Sequence, residues 1–164
     1  MTMPKGIVIP ALSDEPMRLE EFKKLSDYQD AVDGLIQVID LTTPEGTLYV
    51  NEEGIVKTLP YNSRASMFAA VHNRAYLWND PIILGNAIVL GPPDDEGRTQ
   101  DVPGELVEIL LNTPLYKILV QTVDDKEAWN GNQRRYDEMH DAYEAAVRLA
   151  HVWGAVERVK VVSA

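Results

Sequence analysis

The side chains best placed to do chemistry are Asn51, Glu52 and Glu53, just before Gly54, and then Asn62 and Arg64. Polar groups held on rigid turns form recognition surfaces for a partner or a small ligand, and Arg74 and Trp129 are natural additions to such a surface. The plainer reading of the same residues is architectural. Asn51 and Gly54 satisfy a turn, Asn62 caps a helix, and Arg64 pairs with a neighbour in the first turn or with a hairpin glutamate. Glu52 and Glu53 could divide acid and base work, but neighbours on a tight turn diverge. No nucleophile or metal-ligand spacing accompanies them, so no catalytic residue and no metal ligand is assigned.

The histidines are His72, His140 and His151. The last two lie eleven residues apart on one predicted helix, about 16 Å at 1.5 Å per residue, too far to share a metal. Asp137, Asp141 and Glu144 flank His140 at helical spacing, a pattern that a solvated helix face explains. Trp78, Trp129 and Trp153 could each anchor an interface, but Trp153 falls in an apolar stripe and is expected in the core. Trp129 sits in the polar stretch KEAWNGN and is the better interface anchor. Neither GxxxxGK[ST] nor GxGxxG occurs, so nucleotide hydrolysis has no support and no cofactor is expected.

The elements that must position these residues follow from periodicity. Residues 5–11 read as a strand, 16–33 as helical turns broken near Ser26, with Ser26 as cap, and 34–41 as a buried strand. Residues 47–60 read as a hairpin around the Asn51–Gly54 turn. The clearest helix of the first half spans 62–78, capped by Asn62 and stopped at Asn79-Asp80-Pro81, and two short strand pieces follow about Gly85-Asn86. Residues 93–104, rich in Pro, Gly and acids, are the one candidate linker. They divide an N-terminal module, 1–92, from a C-terminal module, 105–164. In the second module 105–113 fits helix or strand, 115–123 a strand, DDKEAWNGN a turn and QRRYD a short return strand. A helix over 137–153, capped by Asp137 and closed by Gly154, carries Met139, Tyr143, Ala146, Val147, Ala150 and Trp153 on one stripe, and a final strand ends the chain. The fold class is therefore α+β, a mainly antiparallel sheet with two or three packing helices and a C-terminal β-α-β unit docked on the first module.

The chain has 164 residues, 45% of them hydrophobic, with no cysteine and a net charge of −11. It is apolar enough to fold and has no thiol chemistry. Its apolar runs are shorter than the roughly 20 residues of a membrane helix, and the start does not read as a signal peptide, so a cytoplasmic protein is expected. The acidic balance opposes direct nucleic-acid binding. Acids exceed bases by five in residues 1–92 and by six in 93–164, too evenly to make one dense acidic surface.

DAVDGLIQVIDL, LYVNEEGIVKTLPYNSRAS and DPIILGNAIVLG together resemble the family known as domain of unknown function 3846, over about residues 5–112. The NEEG turn followed by LPxNxRA is the most specific part, fitted by Asn51, Glu52, Glu53, Gly54, Leu59, Pro60, Asn62, Arg64 and Ala65. Tyr61 and Ser63 depart from the Pro and Arg of that pattern, which weakens the case for a cationic patch there. Residues 116–162 look like a short module common in actinobacteriophage proteins, with Asn132, Tyr136, Ala142, Leu149, Ala150, Trp153 and Val156 as its hallmark. The resemblance implies a phage accessory protein acting in the host bacterial cytoplasm, and it implies no activity or catalytic residue. The expected function is non-enzymatic binding and modulation of a host protein. The competing readings are a DNA mimic that inhibits a nucleic-acid-binding enzyme, and a binder of a nucleotide-type ligand around Arg64, Arg74 and the NEEG turn. A homo-oligomer is the other partner considered, since a pocket can form between chains.

Overall fold

The computed structural model describes residues 3–79 and 81–164. In chain order the elements are β1 (Lys5–Ile9), β2 (Arg18–Glu21), α1 (Leu25–Val32), β3 (Ile36–Thr42), β4 (Glu45–Asn51), α2 (Ser63–His72), α3 (Arg74–Leu77), β5 (Ala87–Leu90), α4 (Gly104–Val107), β6 (Tyr116–Thr122), β7 (Asp125–Gly131), α5 (Met139–Val152) and β8 (Val156–Ser163). One wide helical turn, Glu108–Asn112, continues α4 and closes with Thr113 N–H on Glu108 C=O at 2.9 Å.

Two antiparallel sheets result, one of five strands in the order β2-β1-β5-β4-β3 and one of three in the order β7-β6-β8. The architecture is α+β, and the C-terminal part is a hairpin, a helix and a strand. Strands β1 and β5 hold the centre of the large sheet, and their sequences GIVI and AIVL are buried throughout, as a central strand covered on both faces requires. On one face Ile7, Ile9, Leu48 and Val89 pack under α2. On the other, Val8, Ile88 and Leu90 pack under Phe22, Tyr28 and Val32 of the α1 region. Helix α5 lies on the small sheet and meets α2 through Tyr143 and Phe68, whose rings are 6.0 Å apart. One apolar cluster therefore runs from β1 to β8, and a second, smaller one lies beneath α1.

Several elements fall elsewhere than periodicity predicts. The hairpin is β3–β4, turning at Thr43-Pro44, a cis peptide, and 52–58 form consecutive turns. Strand β4 already pairs with β3 and β5, so a return strand after Gly54 has no edge to join. Strand β3 is an edge strand rather than a buried one: Ile39 and Leu41 reach the core, but Val38 is 56% exposed. Residues 18–21 are the strand β2, and the N-cap of α1 is Lys24 rather than Ser26, with Asp27 accepting the N–H groups of Lys23 and Lys24 at 2.8 and 3.1 Å. The helix predicted over 62–78 breaks at Asn73, whose side chain accepts from Ala75 N–H and so starts α3. Asp80, read as part of its stop, lies outside the described residues.

In the C-terminal part, DKEAWNG is the strand β7, and QRRYD keeps only the bridge of Tyr136 to Tyr116. An edge strand needs no apolar alternation, which is why β7 reads as a turn. Glu138, not Asp137, is the N-cap of α5. Trp153, expected in the core, ends α5 and is 44% exposed, because the buried stripe is Ala142, Tyr143, Ala146 and Ala150. Residues 93–104 run back along the large sheet. Lys5 and Val102 pair through Val102 N–H on Lys5 C=O, and Gly91 N–H donates to Gln100 C=O. A Cβ on Gly91 would sit 2.3 Å from the Asp101 carbonyl oxygen, so only glycine permits that approach.

Candidate functional site

Four of the candidate polar side chains are spent on backbone. Asn51 is buried at the end of β4, donating to the carbonyls of Val32 and Asp33 at 2.9 and 3.0 Å and accepting from Glu53 N–H, so it ties α1 to the turn. Asn62, fully buried, donates to Ile9 and Gly85 C=O and accepts from Ala65 N–H as the α2 cap. Arg64 reaches neither Glu52 nor Glu53. Its Nη2 donates to the carbonyls of Pro10, Leu12 and Glu15 at 2.8 to 3.0 Å, and its Nε is buried without an acceptor among the described residues. Arg74 clamps β8, through an ion pair with the Glu157 carboxylate at 2.7 Å and a bond to its carbonyl.

Arg64 thus pins the 10–15 loop, and its loss is measurable. We expect Arg64→Met to cost about 2 kcal/mol in urea unfolding, the range for bonds from a charged donor, and to speed amide exchange at Glu15. Unchanged stability would show that the loop holds itself.

The remaining candidates are scattered. Trp129 is half-buried on β7 under the Lys160 ammonium, 4.4 Å from its ring centre. His140 and Arg148 both pair with Glu144 on the exposed face of α5. His151 donates to Leu77 C=O at 2.6 Å and stacks on Trp78. Sequence reasoning missed His72. It is fully buried, with Nδ1 2.7 Å from the Thr43 carbonyl and Nε2 2.5 Å from the Tyr143 hydroxyl. The carbonyl can only accept, so Nδ1 carries the proton and Tyr143 donates to Nε2. Burial pulls the His72 pKa down to about 4 and pushes that of Tyr143 well up.

The acidic turn does make a surface. With Asn51 tied down, Glu52 and Glu53 project beside a groove of about 540 Å³ that runs from the end of β4 to residues 81–84. Ile55 and Val56, each 81% exposed, and Ile82, 73% exposed, line it, and Glu52 and Glu53 are its only charged lining residues among those described. Leu59 N–H on Gly54 C=O and Lys57 N–H on Glu53 C=O hold the turn that presents Ile55 and Val56. The sequence signal for these two was the pair of β-branched residues after Gly54, which reads as a strand only while an edge is assumed to receive it.

A family described as "Domain of unknown function (DUF3846)" matches residues 4–114, which include β1 to β5, α1 to α4 and the acidic turn. No curated protein and no solved structure matches the chain. No helix among the described residues is long and apolar enough to cross a membrane. With more than half of its length matched, the chain belongs to the DUF3846 family.

Proposed function

We propose that the chain is a non-enzymatic binding protein that docks a partner protein on the groove of Ile55, Val56 and Ile82. The observation that carries this is the exposure of three aliphatic side chains around one concavity. Lone exposed aliphatics are ordinary, but a contiguous apolar patch rimmed by charge is the signature of an interaction site. The partner is one that presents an apolar knob flanked by Lys or Arg, because Glu52 and Glu53 supply negative charge at the rim. The family resemblance supports a phage accessory role, with a host protein as partner in the bacterial cytoplasm.

The test is capture from an actinobacterial lysate with wild type, Ile55→Asp/Val56→Asp and Glu52→Lys/Glu53→Lys, alongside sedimentation of the pure chain. A stoichiometric host protein whose affinity falls roughly 30-fold in the aspartate variant, and which the charge reversal also weakens, supports the reading. Self-association of the pure chain abolished by the same aspartates would overturn it in favour of a homo-oligomer.

A further inference from the structure

The second face of the large sheet is only partly roofed. Helix α1 covers Val8, Ile88 and Leu90, but over β4 and β3 it leaves Tyr49, Ile36 and the exposed Val38 as the floor of a groove of about 970 Å³. One wall is aromatic and aliphatic: Tyr28, stacked on Phe22 at 4.6 Å and edge-on to Tyr49 at 5.3 Å, and Leu25, 64% exposed. The other wall is the turn 94–100, made rigid by Asp94, whose carboxylate accepts the N–H groups of Glu96 and Arg98. The Thr99 hydroxyl, 3.1 Å from the Tyr49 hydroxyl, joins that wall to the floor.

The charge of this groove opposes that of the chain. Lys23, Lys24 and Arg98 line it against the single carboxylate of Asp94, in a chain of net charge −11. Arg98 is already paired with Asp94 and Glu96. The ammonium groups of Lys23 and Lys24 have no ion-pair partner among the described residues. Glu21, the nearest acid in sequence, makes no ion pair among the described residues, and Asp27 spends its carboxylate on the N–H groups of Lys23 and Lys24, which hold its pKa below the usual range. An apolar floor with two unpaired cations at one end selects an amphipathic anion. Polar groups along the turn then separate a heteroaromatic ring from an acyl chain. The Gln100 side-chain amide makes only long bonds, of 3.3 to 3.4 Å, and the Thr99 and Tyr49 hydroxyls lie beside it. A hydrocarbon would leave the remaining bonding capacity of these groups unmet, whereas a ring bearing nitrogen and oxygen can bond them.

We propose that this groove is a nucleoside-phosphate site, with the base against Tyr28, Tyr49 and Val38, its edge facing Gln100 and Thr99, and the phosphate at Lys23 and Lys24. It is separate from the acidic turn and independent of partner docking there.

The experiment is a titration of the full chain, followed by amide NMR, with the common ribonucleoside monophosphates. The matching nucleosides, inorganic phosphate and decanoate serve as comparison probes. We expect at least one monophosphate to shift the signals of Tyr49, Thr99 and Gln100 saturably, and its nucleoside to bind about tenfold more weakly. Lys23→Gln/Lys24→Gln, a change at two exposed side chains, should weaken the monophosphate about tenfold and leave the nucleoside unchanged. The proposal fails if no monophosphate saturates these signals at millimolar concentration, if decanoate binds there more tightly than every nucleotide, or if the double variant binds the monophosphate as wild type does.

Discussion

Lowering the pH from 7 to 4 should remove about 3 kcal/mol of folding stability through His72 alone. In the folded chain this imidazole titrates at about 4, because full burial penalises its charged form, against an ordinary value of 6.5. Between these two values the unfolded chain binds the extra proton and the folded chain does not, so stability rises with pH across that window and falls on acidification. Above pH 6.5 the contribution is complete. The carboxylates titrate too, so the comparison is with His72→Gln, followed by urea unfolding at a series of pH values. The wild-type stability should fall more steeply than that of the variant between pH 6.5 and 4. Parallel curves would mean that the imidazole is solvated and that the buried geometry is wrong. Tyr143→Phe gives a second check: it leaves Nε2 without its donor and should cost about 1 to 3 kcal/mol at pH 7.

Replacing Asn62 should have an effect as large. Asn62→Ala removes the N-cap of α2, worth about 1 kcal/mol. It also strips the donor from two buried carbonyls, Ile9 and Gly85, each worth about 1 kcal/mol or more. The expected loss is about 3 kcal/mol in urea unfolding. Asn62→Ser can keep the cap but cannot reach both carbonyls, so it should recover only the capping part. If serine restores full stability, the carbonyl bonds contribute nothing and Asn62 is a cap alone.

These two residues also mark where the sequence was legible. The cap at Asn62 is a local event, read from a side chain and an N–H three residues on, and it was visible. The carbonyls that Asn62 also holds are 53 and 23 residues away in the chain, and nothing local announces them. The His72–Tyr143 pair is likewise non-local, spanning 71 residues. Tyr143 was read on the buried stripe of α5, yet its partner could not be read. The family and the α+β class were legible, the first from LPxNxRA and the second from alternating runs. Strand edges were not. Whether Ile55-Val56 forms a strand depends on whether β4 has a free side, which is a property of the sheet and not of the segment. The same is true of Asn51 and Arg64: their types suggested recognition, but only the fold shows their hydrogen bonds going to main-chain carbonyls.

The DUF3846 match ends at residue 114, whereas Tyr143, Ala146 and Val159 complete the core that begins at β1. A protein built from the matched region alone would therefore present an apolar helix face at Phe68 to water, with the Nε2 of His72 beside it. The last fifty residues act as cladding for that face. All five strands of the large sheet lie before residue 114, so a truncation there would open this seam between α2 and α5 and leave every pairing of that sheet in place.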